Sequence, residues 1–162
     1  MIKILSVSQI STLVTKYKKN KKKVVMCHGA FDVLHYGHIA HFEEAKKMAD
    51  KLIVTVTPDI YVNKGPKRPF FRQKHRLEAI AALDVVDFVA LNEYPTAVNT
   101  IKKLKPNFYC KGPDYQDYKN DISGEILNEI NATKKTGGKV VYTKDITFSS
   151  SRLINSFIST QS

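Results

Sequence analysis

The chain of 162 residues contains no tryptophan, two cysteines, and 15 acidic residues against 26 lysines and arginines. Two cysteines, Cys27 and Cys110, far apart in sequence, cannot build a disulfide scaffold and follow no metal-binding spacing. A reduced, cytoplasmic setting is therefore expected. No apolar run approaches the roughly 18–20 residues that span a bilayer. The first residues also lack an apolar stretch long enough for a signal peptide, so no membrane partner is expected. Seven glycines and six prolines exclude a collagen-like repeat, and an apolar share of 43% excludes intrinsic disorder. A chain of this length buries on the order of 70% of its unfolded surface, enough for one core without disulfides or structural metal. One domain over residues 1–162 is expected.

What the chain has in excess is positive charge, a net +11. Lys16, Lys18, Lys19, Lys21, Lys22 and Lys23 crowd into one stretch, and the remainder is still basic. Such a surface favours anionic partners, whether nucleic acid or a phosphorylated small molecule. The lysine run also has a structural reading, a solvated helix end whose charges suit the negative pole of the dipole.

Residues 6–19 read as a helix: Ser6 and Gln9 have capping-box spacing, and Ile10, Leu13, Val14 and Tyr17 recur on one face. With the lysine-rich loop it forms an N-terminal extension over residues 1–23. Val24-Val25-Met26-Cys27 is an unbroken apolar run, the mark of a strand buried on both faces. Helix and strand then alternate. Helices are predicted over 37–49, around Leu77 and Leu83, after Pro95, from Ile122 to Gly137, and over 150–158. Strands are predicted over 52–56, 85–91, 108–110 and 139–143. This alternation specifies an α/β, Rossmann-like domain with a five-stranded parallel sheet flanked by helices.

Ligands of such sheets sit at the carboxyl ends of the strands. The first segment to follow a strand reads His28-Gly29-Ala30-Phe31-Asp32-Val33-Leu34-His35-Tyr36-Gly37-His38. Gly29 and Ala30 let an anionic ligand approach the backbone. His35 and His38 flank Gly37 where a helix begins, a place whose N–H groups and dipole favour phosphate. Two imidazoles there can donate to phosphate oxygens, although helix capping is the alternative use. His41 continues the three-residue spacing, but three histidines on one helix fan over roughly 120° and converge poorly on one ion. An exposed helix position is expected for His41, and no metal site made by the protein alone.

The stretch from Gly29 to His38 resembles the signature of the H-x-G-H nucleotidyltransferase superfamily, in its cytidylyltransferase-like branch. Lys64-Gly65-Pro66-Lys67-Arg68-Pro69, then Arg76, Lys111-Gly112-Pro113-Asp114-Tyr115 and Phe148-Ser149-Ser150-Ser151 follow in order. Together they are most similar to the adenylyltransferase domain of ADP-heptose synthases. The resemblance implies that Gly29, Ala30, Phe31, Lys111, Gly112, Asp114, Ser149, Ser150 and Ser151 bind the nucleotide. It implies that His35, His38, Lys64 and Arg76 act on its phosphates, with Arg76 in a helix-surface ion pair as the alternative. Asp32 and Lys67 would belong to a substrate loop. Asp32 would orient the first loop, help to hold Mg²⁺, or cap a helix. The chain departs from the heptose pattern at Pro113, where a second glycine is usual, and in residues 57–63.

The activity implied is transfer of AMP from ATP to a phosphorylated sugar such as heptose 1-phosphate, with Mg²⁺ accompanying the nucleoside triphosphate and pyrophosphate released. A cytidylyltransferase using CTP and glycerol phosphate or another polyol phosphate is the alternative. A nucleic-acid module using the lysine run ranks below both, since the basic strands interleaved with aromatics of an RNA-binding sheet are missing. Nucleic acid is not an expected partner, and a homodimer is compatible with the family.

Overall fold

The computed structural model describes residues 3–116 and 125–144. The first helix, α1 (Val7–Lys19), starts at the foreseen capping box: Ser6 Oγ accepts the Gln9 amide, and Gln9 Oε1 accepts the Ser6 amide. After it come β1 (Val24–Gly29), α2 (Tyr36–Lys47), β2 (Lys51–Val56) and α3 (Gln73–Ala81). The rest is β3 (Phe88–Leu91), α4 (Val98–Leu104), β4 (Phe108–Lys111), α5 (Glu125–Lys135) and β5 (Lys139–Tyr142). All strand pairs are parallel, in the order β3-β2-β1-β4-β5. The chain leaves β1 in one direction through β2 and β3, then returns to β1's other side with β4. The topological switch point therefore lies between β1 and β4, where ligands of open parallel sheets bind.

Side chains alternate across each strand and divide the core between two faces. On one face Val24, Met26 and Tyr109 pack with Val7, Ile10 and Val14 of α1, Ile101 and Leu104 of α4, and Ala132 of α5. On the other, Val25, Cys27, Val54 and Cys110 pack with Phe42 and Ala45 of α2 and Leu77 and Ile80 of α3. The three central strands are nearly inaccessible to water, which is why they read as continuous apolar runs.

Boundaries moved where apolar runs continue into turns. Residues 85–87 are not strand: the Val86 amide donates to Leu83 O, so a buried turn links α3 to β3. The fourth helix starts at Val98 and not beside Pro95, because Asn92 Nδ2 binds the Tyr94 and Thr96 carbonyls and holds that stretch as a loop. Residues 3–5 run beside β3, with Leu5 N donating to Val89 O at 3.0 Å. The helix foreseen over 150–158 lies outside the described residues.

The lysine run sits at the amino end of the sheet, opposite the switch point. Lys23 immediately precedes β1, and its amide, with Lys22 Nζ, binds the Asp50 carboxylate at 2.8 and 3.1 Å. Lys18 Nζ donates to Lys105 O. These lysines anchor loops and do not line the crevice.

One backbone approach fixes where α5 hands over to β5. A Cβ on Gly138 would lie 2.5 Å from Pro106 O and 3.1 Å from Thr133 Cγ2. Gly138→Ala is therefore expected to lower stability by about 1–3 kcal/mol, the usual cost of overpacking, read from its urea midpoint.

Candidate active site

The loop after β1 is held in a tight form. A Cβ on Gly29 would meet the Phe31 ring at 3.0–3.3 Å, so glycine lets that ring fold back over the strand end. Phe31 then packs edge-on against His38 and Phe42, at 5.3 and 5.0 Å between ring centroids. Phe31 and Val33 have φ of 48° and 55°. A β-branched residue in the left-handed region is strained, by about 1–3 kcal/mol, and persists only where its surroundings impose it.

Asp32, between those two residues, supplies the restraint. Its fully buried carboxylate accepts Arg68 Nε and the Phe70 amide at 2.8 Å and the Phe71 amide at 2.9 Å. Burial alone would push this carboxyl up; the Phe71 and Phe70 amides and the Arg68 guanidinium outweigh it, and its pKa lies below the ordinary aspartate value. Asp32 thus ties the first loop to the 57–71 loop, the orienting role among the uses foreseen. Oδ2 accepts two of these hydrogen bonds and Oδ1 one.

His35 is the N-cap of α2, its Nδ1 accepting the Gly37 amide at 3.1 Å, which leaves the proton on Nε2. The His35 and His38 rings stack with centroids 3.8 Å apart and planes 24° from parallel. Burial, followed by the charges of His35, Lys64 and His41, pushes His38 down to about 3. Burial and Lys64 also lower His35. Both are neutral imidazoles at neutral pH, each carrying one N–H donor. His38 Nδ1 is buried without a hydrogen-bond partner among the described residues.

The 57–71 loop brings cations. Lys64 lies close enough for its charge to lower both histidines, and partial desolvation and the Arg68 charge lower its own pKa. Lys67, with φ of 58°, is exposed. Arg68 is nine-tenths buried; its Nε meets Asp32, and its Nη2 has no hydrogen-bond partner among the described residues. Arg76 was foreseen near the phosphates, or in a helix-surface ion pair; its ion pair, to Asp59, is internal and not at the surface. It is 2% exposed, and its guanidinium binds the Ala30, Thr57 and Phe71 carbonyls and Asp59 Oδ1. It clamps the walls of the site from within.

Across the switch point, a cleft of about 330 Å³ runs from Gly29 and Ala30 past Lys64 to Lys111 and Tyr115. Lys111 Nζ lies 4.2 Å from the Tyr115 ring centroid and 3.5 Å from Glu129 Oε2. Gly112 caps the short turn Pro113–Tyr115, on which Asp114 is exposed. Sequence reading missed His28, Thr57 and Glu129, which also line this cleft. His28 Nδ1 lies 2.9 Å from Thr55 Oγ1, and burial pushes its pKa down to about 4. Glu129 accepts Tyr109 Oη at 2.7 Å and the Ala97 amide at 3.1 Å. Burial opposes its ionisation, but Lys111 and His28 outweigh that, and its pKa is lowered. Its signal was a charge on the face set by Ile126 and Ile130. Ser149, Ser150 and Ser151 lie outside the described residues.

Comparison with known proteins agrees with this geometry. The Cytidylyltransferase-like family profile matches residues 26–156. The chain is 39% identical over 133 residues to the bifunctional protein HldE of Sulfurimonas denitrificans, covering 81% of this chain and 28% of that one. It is 36% identical over 139 residues to HldE of Campylobacter fetus, covering 85% and 29%. It thus spans under a third of the length of these curated relatives. A lipopolysaccharide core biosynthesis protein from Thermoplasma volcanium superposes with a TM-score of 0.64 at 30% identity, covering 78% of this chain and 99% of that one. Pantoate-beta-alanine ligase from Francisella tularensis, at 17% identity and a TM-score of 0.65 over 96% of this chain and 73% of its own, shares the fold. The chain belongs to the cytidylyltransferase-like family, and its resemblance to the adenylyltransferase domain of ADP-heptose synthases is borne out. No helix among the described residues is long and apolar enough to cross a membrane.

Two outcomes test this site. In an NMR titration of the ligand-free protein, His38 should stay neutral far below the ordinary histidine pKa of about 6.5 and protonate near 3; an inflection at the ordinary value would contradict the buried pair. Asp32→Asn should lower stability by about 3–5 kcal/mol, since it leaves Arg68 buried and uncompensated. Because the folded pKa of Asp32 lies below its unfolded value of about 3.9, its contribution is present above that pH and fades as pH falls through the folded value. Urea midpoints against pH should show this acid loss in the native chain and less of it in Asp32→Asn.

Proposed function

We propose that this domain transfers a nucleoside monophosphate, AMP from ATP, to a phosphorylated sugar such as heptose 1-phosphate, and releases pyrophosphate. The observation that carries the reading is the stacked, neutral His35–His38 pair at the N-terminus of α2, beside Lys64 at the switch point. Membership of the family and the similarity to HldE point to the same chemistry. An anionic phosphate oxygen of the acceptor attacks the α-phosphorus, a new P–O bond forms, and the bond to the β-phosphate oxygen breaks. The nucleophile is already ionised, so no general base is required. Catalysis then consists of alignment and stabilisation of charge.

His35, through Nε2–H, and His38 donate hydrogen bonds to phosphate oxygens, and being neutral they do so without trapping the product as ion pairs. Lys64 supplies the mobile positive charge. Arg76 and Asp32 act as positioning residues, holding the walls on which the donors stand. Ser149, Ser150 and Ser151 would hold the outer phosphates. Magnesium would enter with the triphosphate and supply charge neutralisation there. The cleft lined by Gly29, Ala30, Lys111 and Glu129 would take the nucleotide, as the resemblance implies for Gly29, Ala30 and Lys111.

The test is pyrophosphate release with ATP, CTP, GTP and UTP against heptose 1-phosphate, other sugar 1-phosphates and glycerol phosphates, with Mg²⁺. Turnover confined to ATP with a sugar 1-phosphate is expected. Preference for CTP with a polyol phosphate would overturn the choice of substrates and leave the reaction class. His38→Ala should lower the rate by about 10²-fold or more, the scale of one lost oxyanion donor. Near-native turnover in a folded His38→Ala chain would remove the histidine mechanism.

A further inference from the structure

The two cysteines that sequence spacing separated are brought side by side. Cys27 on β1 and Cys110 on β4 are direct partners in the parallel pairing across the switch point, and both are buried on the face that α2 covers. His41, expected to be exposed, is half-buried on α2, one turn beyond His38. One of its ring nitrogens and the two sulfurs all lie within 4.8 Å of one another. Thr143, buried just after β5, places its Oγ1 2.9 Å from His41 Nδ1 and orients the ring.

We propose that Cys27, Cys110 and His41 form a binding site for one divalent, thiophilic metal ion of the zinc class, clamping α2 to the sheet beneath the histidine pair. Zinc takes thiolate at about 2.3 Å and imidazole at about 2.0–2.1 Å, so its ligands sit roughly 3.5–4 Å apart. The observed upper limit of 4.8 Å is within about 1 Å of that spacing. Two thiolates and an imidazole are a soft set that selects against magnesium and calcium. Charge decides between the remaining candidates. A divalent ion with two thiolates and a neutral imidazole is neutral overall, whereas a monovalent copper ion would leave a net negative charge in an apolar core. The Thr143–His41 hydrogen bond is the outer-shell contact that metal-binding histidines generally keep. This site does not depend on the proposed reaction, since it lies beneath α2 and none of its ligands lines the cleft.

The full chain, reduced with a phosphine and stripped with a chelator, is titrated with Co²⁺ and then Zn²⁺. One equivalent of Co²⁺ should give thiolate-to-cobalt charge-transfer absorption, and Zn²⁺ should abolish it by displacement. Cys27→Ser and Cys110→Ser should each weaken binding by at least about 100-fold, the upper end of what loss of an outer-shell partner alone costs. Zinc should also raise the Tm of the native chain, as any ligand selective for the folded state does. If a serine variant fails to fold, the Cys27→Ala/Cys110→Ala double variant, checked by circular dichroism, takes its place and should show neither the band nor the Tm rise. Absence of the charge-transfer band at excess Co²⁺, or an equal band or Tm rise in the double variant, would overturn the site.

Discussion

The buried carboxylate of Asp32 is the contact on which the site depends. It sits between two residues in left-handed conformation and accepts donors from Arg68 and from the Phe70 and Phe71 amides. Those three hydrogen bonds tie the strained turn at Phe31 and Val33 to the 57–71 loop. Arg76 braces the same loops from the other side through three carbonyls and Asp59. A carboxylate and a guanidinium, both inaccessible to water, thus replace the regular backbone bonding that loops lack. That network gives a flexible connection the rigidity a reacting geometry needs.

The electrostatics of the crevice follow from burial more than from net charge. The lysine-rich stretch accounts for much of the basic balance, yet it lies at the amino end of the sheet and is engaged with Asp50 and Lys105. The crevice holds fewer cations, but they are placed: Lys64 at its mouth, Lys111 against Tyr115 and Glu129, and Arg68 behind Asp32. Burial and the charge of Lys64 keep His35 and His38 neutral. An anion entering there meets directed donors and fixed charge in partly desolvated surroundings, where each is worth more than on the surface.

The sheet carries different chemistry on its two faces because side chains alternate. His28, Tyr109 and Lys111 point to the face covered by α4 and α5, where Glu129 gathers them. Cys27 and Cys110, one position removed along the same strands, point to the face covered by α2, where His41 meets them. A single step of register separates a polar cleft from a cluster of two thiols and an imidazole. Both lie at the β1–β4 junction.

The sequence by itself determined the architecture and the location of the site. Unbroken apolar runs at Val24–Cys27 and 52–56, alternating with helical periodicity, specify a parallel sheet because burial on both faces leaves no polar alternation. The paired His35 and His38 after the first strand were legible because local spacing alone puts them on one helix start. Tertiary structure alone decided the roles of residues whose partners are distant in the chain. Arg76 became an internal clamp because it meets Ala30 and Thr57 only once the chain has folded; Glu129 reached the cleft because Tyr109 and Lys111 lie beneath α5. Cys27 and Cys110 became neighbours because β4 returns beside β1. Spacing along a chain reports on residues a few positions apart, whereas the crossover that brings β4 to β1 is made by the packing of helices on both faces of the sheet.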